Sequence, residues 1–271
     1  MNKKNKCDID LRIVEEALEL TCKKVDDTSK INVKKVCIGL GYTGVKLSTG
    51  HAGLCHTQQS ELSPQCCQVN DKAGTFAGSS ALELASLVKS WDFIKNNIGI
   101  ATLNALFQVI FERNPYDYPL SEENIVDFIE IKADDTVVMI GKIGPFIQPI
   151  KEKTDRLFII ERNPLHRNEG TLPDTACEEY LPEADVLLIT GSTIANGSID
   201  YILNSSKNAR EIIMVGPTCG LIPDPFFNKG VTAIGGIKIT DADKALQIIA
   251  EGGGTKALKP TMKFTTIIPK K

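Results

Sequence analysis

No apolar run in the chain approaches the ~20 residues that a membrane-spanning helix needs, so a membrane partner is not expected. Lys3, Lys4 and Lys6 read as a solvated tail, and an acidic amphipathic stretch follows them at once, leaving no room for the apolar core of a secretory leader. A surplus of positive charge is missing too: the formal net charge is -3, which argues against a nucleic-acid-binding surface. There is no nucleophile elbow G-x-S-x-G, no Walker loop and no H-E-x-x-H, which removes several hydrolase classes. The eight cysteines include no C-x2-C pair. Without a secretory leader they read as reduced thiols of a cytoplasmic protein.

What is present is the composition of a globular protein, 42% hydrophobic and 24% charged, in a chain of 271 residues. That length suits one large domain or two, at the usual ~100–200 residues each. The stretch from Thr136 to Pro164 organises the reading. Two short β-branched runs, Thr136–Ile140 and Leu157–Glu161, each end in residues that stop a strand. Gly141 and Gly144 form a turn straight after the first, where backbone N–H groups can approach a ligand. Glu161 follows 20 residues after Gly141, where dinucleotide-binding folds hold a ribose. Only two of the three fingerprint glycines are there, at the wrong spacing, so the turn predicts a ligand-binding βαβ unit more firmly than it predicts NAD.

Further strands are predicted at Val186–Thr190, Glu211–Val215 and Val231–Ile234, with helices near Phe146–Lys153, Thr175–Leu181, Ser198–Ser205 and Asp241–Glu251. A helix capped by Ser121 with Ile125–Ile131 as its body should open this half, and the basic C-terminal stretch reads as an edge strand or tail. Strict alternation implies a parallel sheet covered on both faces. The first half differs. An amphipathic helix over Ile9–Lys24 precedes a β-hairpin (Val33–Leu40, Val45–Ser48), a third strand near Gly53–Thr57, and helices Ser80–Trp91 and Phe93–Phe111. Asn114-Pro115-Tyr116-Asp117-Tyr118-Pro119 cannot continue a helix, which places a domain boundary at 118, giving residues 1–118 and 119–271.

Strand ends carry the candidate chemistry. Thr190, Ser192, Thr193 and Thr218 put hydroxyls on the same rim as Gly141, Gly144, Gly216, Pro217, Gly235-Gly236 and Glu161. Hydroxyls and backbone N–H groups there can hold a phosphate, a carboxylate or a sugar. Tight turns after parallel strands account for many of the glycines, and a surface pair with Arg162 is the plain alternative for Glu161. Asn196 reads as a turn residue tolerating positive φ, and His166 as an acid–base candidate on the rim. Cys55, His56, Cys66 and Cys67, with His51 nearby, are the cluster whose donor types suit a transition metal. Their spacing matches no zinc module, and neighbours on a strand point to opposite faces.

Several segments resemble a family known as "putative heavy-metal chelation" proteins. They are Lys89-Ser90-Trp91 and Ile98–Ala105 in the first half. In the second half they are Val138–Gly141, Glu161, Leu181–Asp185, Ile189-Thr190, Ala209-Arg210, Val215-Gly216-Pro217 and Gly235-Gly236. The likeness runs in order along nearly the whole chain. It implies an α/β protein with a smaller α+β, enolase-N-terminal-like domain before a Rossmann-like domain with a parallel sheet. It also implies an interdomain cleft holding Asn104 together with Glu161, Thr190, Gly216 and Pro217. The cysteine cluster lies outside the matched motifs. The expected function is small-molecule binding, of a transition metal or a metal chelate, in that cleft. The alternative is an enzyme with NAD or S-adenosylmethionine at the strand ends. No residue pattern specifies a homodimer, although such a protein is compatible with one.

Overall fold

The computed structural model describes residues 11–25, 30–62, 70–121 and 125–270. The first part begins with helix α1 (Ile13–Lys24), whose Ile13, Val14, Ala17 and Leu18 are buried. Strands β1 (Val33–Ile38), β2 (Tyr42–Leu47) and β3 (Ala52–His56) then form a three-stranded antiparallel meander. The short helix α2 (Ala81–Ala85) leads through a 3-10 turn to α3 (Phe93–Arg113). Asp92 caps α3 by accepting the Lys95 N–H, and nearly every residue from Ile94 to Ile110 is buried. A helix apolar on all sides must be enclosed on all sides, and α3 lies between the meander and the second part. Gly53 makes this approach close: a Cβ there would sit 2.2 Å from the Ala101 carbonyl oxygen.

The second part is an eight-stranded sheet. In chain order its elements begin with β4 (Leu120–Ser121), β5 (Val137–Ile140), α4 (Gly144–Lys151), β6 (Leu157–Ile160) and β7 (Thr171–Leu172). They continue through α5 (Cys177–Tyr180), β8 (Val186–Thr190), α6 (Ser192–Ala195), α7 (Ile199–Ser205) and β9 (Glu211–Val215). They end with α8 (Asp224–Asn228), β10 (Ala233–Ile239), α9 (Ala242–Ala250), α10 (Thr255–Leu258) and β11 (Met262–Ile267). The order across the sheet is β4-β11-β10-β9-β8-β5-β6-β7, parallel from β10 to β7 and antiparallel at β11 and β4. This is the expected Rossmann-like parallel sheet after a smaller α+β part. The chain leaves β5 toward β6 and β7 on one side and returns to β8, β9 and β10 on the other. The crevice beyond the carboxyl ends of β5 and β8 is therefore a topological switch point, where open α/β sheets bind ligands.

Both faces of the small sheet are covered. Val33, Val45, Leu47 and Cys55 join a core with α1, α3 and the Val138, Ile140, Leu187 and Ile189 face of the large sheet. Tyr42, Ala52 and Leu54 pack instead with Ile237, Ile239, Ala245, Leu246 and Ile249. The other face of the large sheet, with Val137, Met139, Leu188 and Ile213, is covered by Phe146 and Ile150 of α4 and by Ile125 and Ile129.

Several expectations need correction. Ser121 is a strand residue paired with Thr266, residues 122–124 lie outside the described set, and Ile125–Phe128 is a 3-10 turn rather than an α-helix. Ile125 meets its apolar contacts there, against the open face of Gly235. Gly235 and Gly236 are not a strand-end turn. They lie inside β10, opposite Thr266 and Thr265, because an antiparallel partner in β11 extends the strand to Ile239. That partner lies between β10 and β4, so the C-terminal stretch is an interior strand.

Candidate functional site

Strand β3 carries His56 over the carboxyl ends of the large sheet, and hydrogen bonds from both sides hold it there. The His56 N–H donates to Thr218 Oγ1 (3.0 Å), and Asn97 Nδ2 donates to the His56 carbonyl (3.4 Å). Two turns further along α3, Asn104 Nδ2 donates both to the Leu54 carbonyl (2.6 Å) and to the Thr218 carbonyl (3.2 Å). Asn96 Nδ2 reaches the Ala195 carbonyl (2.8 Å), and Gln58 Nε2 reaches that of Ser192 (2.9 Å). Amides of the first part thus fix the loops after β8 and β9.

Between these loops and the first part lies a cleft of about 730 Å³, within the ~300–1,000 Å³ range of ligand pockets. One side is formed by Leu40, Gly41 and His56–Glu61, the other by the ends of β5, β6 and β8 with Arg162, Asn163, Leu165 and His166. Gly141, Glu161, Thr190 and Ser192 line it, as do Thr193 and Asn196. A Cβ on Gly141, which has φ 83°, would meet Thr190 Cγ2 at 2.5 Å, so the crevice between β5 and β8 requires glycine at that corner.

The other predicted residues take different places. Asn104 and Thr218 are 2% exposed and lie behind the cleft wall, where they join the two parts. Gly216 (φ 128°) and Pro217 open the 3-10 turn that presents Thr218, and Gly144 begins α4 without lining the cleft. Asn196 has φ -92° and its Oδ1 accepts from the Ser198 N–H and hydroxyl. The positive φ belongs to Gly197.

Glu161 does not pair with Arg162, whose guanidinium meets Glu61 across the cleft at 3.0 Å. Its carboxylate accepts the Lys142 N–H (3.0 Å) and the Asn163 N–H (2.8 Å), tying the ends of β5 and β6 together. The Ile143 N–H goes to Met139 Sδ, and Pro145 has none to offer. In the turn after β5 the N–H groups of Lys142 and Ile143 are therefore already committed.

His56 is half-buried. Its Nδ1 lies 3.3 Å from Ser192 Oγ, and its ring meets Tyr42 edge-on at 5.6 Å. Burial and the nearby His166 lower its pKa, against the opposing pull of Glu161, so the imidazole is neutral at neutral pH. Cys55 points the other way, into the core, where its thiol is 3.5 Å from Asn97 Oδ1 and burial pushes its pKa up. Burial likewise pushes Cys219 up to about 12, and His51 pairs with Glu112 (2.8 Å) away from His56. Cys66 and Cys67 lie outside the described residues. Cys55 and His56 therefore diverge, as alternation along a strand requires.

Among the described residues no three His, Cys, Asp or Glu side chains are grouped to hold a metal ion. The described residues therefore do not by themselves complete a protein-only centre for a bare ion. The cleft's apolar lips, Leu40 and Leu165, are 62% and 87% exposed. They escaped the sequence reading because isolated leucines in loops carry no periodic signal.

Two family models match the chain, DUF364 over residues 124–268 and DUF4213 over residues 24–107, both described as "Putative heavy-metal chelation". An uncharacterized protein of Methanocaldococcus jannaschii is 32% identical over 189 residues, covering 68% of this chain and 70% of its own length. A protein with unknown function from the DUF364 family of Pyrococcus horikoshii superposes with a TM-score of 0.79 at 25% identity, over 95% of this chain and 98% of that one. Another, from Desulfitobacterium hafniense, shares the fold with a TM-score of 0.75 at 22% identity, over 94% and 99%. Sequence and fold together assign this chain to the DUF364 family, described as "Putative heavy-metal chelation".

Proposed function

We propose that this chain binds a small molecule, either a metal ion with its own ligands or a metal chelate, in the cleft between the three-stranded unit and the ends of β5, β6 and β8. One observation carries the reading: the cleft opens at the switch point of the parallel sheet, and a neutral imidazole from the other part faces it. The family description supports a heavy metal as cargo. The thiols Cys37, Cys55, Cys177 and Cys219, none of them in a disulfide, support a cytoplasmic setting. No nucleic acid enters the reading, and light scattering would test a homodimer.

The alternative, an enzyme using NAD or S-adenosylmethionine, takes its support from Glu161 at the end of the second strand. Against it stand the two backbone N–H groups that already occupy the Glu161 carboxylate. A thermal-shift panel separates the two, with Zn²⁺, Ni²⁺, Co²⁺, a corrinoid, NAD(H) and S-adenosylmethionine tested on wild type and Glu161→Ala. A ligand at 100 times its Kd stabilises by about 2.7 kcal/mol, a shift of several degrees. Metal or corrinoid shifts alone support the proposal. A shift with an adenosine cofactor, lost in the variant, replaces it with the alternative.

A further inference from the structure

We propose that His56 coordinates the metal of an incoming chelate through Nε2, while Ser192 holds the ring and Leu40 and Leu165 cover the chelate's organic periphery. This rests on the metal reading above and goes beyond it, since it names both the donor atom and the form in which the metal arrives.

Four observations lead there. First, the His56 ring and backbone are fixed on several sides, by Ser192 Oγ at Nδ1, Tyr42 at the ring edge, Thr218 at the N–H and Asn97 at the carbonyl. Among the described residues, however, Nε2 has no hydrogen-bond partner. In the tautomer whose Nδ1–H donates to Ser192 Oγ, the lone pair resides on Nε2. This is the arrangement in which a second hydrogen bond orients an imidazole ligand. Second, no further His, Cys, Asp or Glu joins it to complete a protein-only centre among the described residues. Third, the cleft is the size of a small-molecule pocket. Fourth, its lining combines two exposed leucines, Leu40 and Leu165, with the half-buried polar Thr190, Ser192 and Asn196. That pattern suits a molecule with a polar centre and an apolar edge. Binding would be simple ligand exchange, with Nε2 giving its lone pair to the metal in place of a bound water and no change of oxidation state.

The test uses the cobalt(II) complex of the tetradentate Schiff base salen, which leaves axial positions open, against aqueous Co²⁺. Binding is followed by Trp91 fluorescence and by electron paramagnetic resonance under argon. Wild type should bind the complex and show a three-line splitting from one axial nitrogen. His56→Ala should lose the splitting and bind at least about tenfold more weakly. Ser192→Ala should retain the splitting with affinity reduced by about tenfold. Circular dichroism melts check that each variant folds, and His56→Gln provides a second variant of similar size. If the complex binds equally well to wild type and both His56 variants, or binds without nitrogen splitting, the His56 assignment is wrong and the cleft reading stands. If aqueous Co²⁺ binds and the complex does not, the metal enters bare and the inference fails. If neither binds, both readings fail.

Discussion

At the scale of single residues, Glu161 shows how a correct position can carry an unexpected role. Its place after a buried strand was legible from four apolar neighbours followed by Asn-Pro. Its partners were not, because they are backbone N–H groups, one of them on a turn 19 residues back at Lys142 and the other at Asn163. Glu161→Gln retains one acceptor and sets an amide donor against an N–H. It should cost about 1–2 kcal/mol and speed hydrogen exchange at Lys142 and Asn163 while leaving the core amides protected. Asp135 is a second case. It is 4% exposed, bonds both guanidinium nitrogens of Arg210 and accepts the Lys132 N–H at 2.6 Å. Hydrogen bonding to Arg210 is the main cause of its lowered pKa. A carboxylate depressed in the folded state stabilises above its unfolded pKa of about 3.9 and loses that contribution as pH falls through the folded value. Asp135→Asn should therefore lose about 2 kcal/mol at neutral pH, and urea melts of variant and wild type should converge below about pH 4.

At the scale of elements, the strands with unbroken β-branched runs were legible, and Val186–Thr190 and Glu211–Val215 appear with the predicted bounds. Buried parallel strands announce themselves because both faces are apolar. β10 was cut short because two glycines read as punctuation, whereas the small size of Gly235 admits Ile125 and Val215 beside the strand. Helix α3 was read as buried on several sides, and it is. What periodicity could not show is how near β3 comes to it. At Gly53 a methyl group would lie 2.4 Å from the Ala105 N as well as against the Ala101 carbonyl oxygen. Both obstacles are backbone, so neither yields as a side chain does. Gly53→Ala should destabilise by at least about 3 kcal/mol, seen as a lower thermal midpoint, whereas Gly50→Ala at an open hairpin turn should suffer only from its positive φ.

At the scale of the molecule, we propose that position 118 marks a change of architecture rather than the border of two independently folding units. Residues of α1, β1–β3 and α3 share one apolar cluster with Val138, Ile140, Leu187 and Ile189, and the opposite face of the meander packs on α9 and β10. Cores joined in this way melt together. Calorimetry of the whole chain should show one transition with equal calorimetric and van't Hoff enthalpies. Fragments 1–118 and 119–271 should lack cooperative melts when expressed separately. Two resolved transitions, or a cooperative fragment, would overturn this.

Sequence by itself determined the class of each half, the strand ends on which the cleft is built, and Gly141, Glu161, Thr190 and Ser192 as residues of its wall. Those features are local, set by runs of β-branched residues and the turns that stop them. Only the tertiary structure decided which loop faces those ends. It brought His56 from 136 positions away to Ser192, turned Cys55 into the core and placed Asn104 behind the wall rather than in it. Contacts between distant segments depend on how two sheets pack around α3, and side-chain periodicity, which reports one element at a time, does not encode that packing.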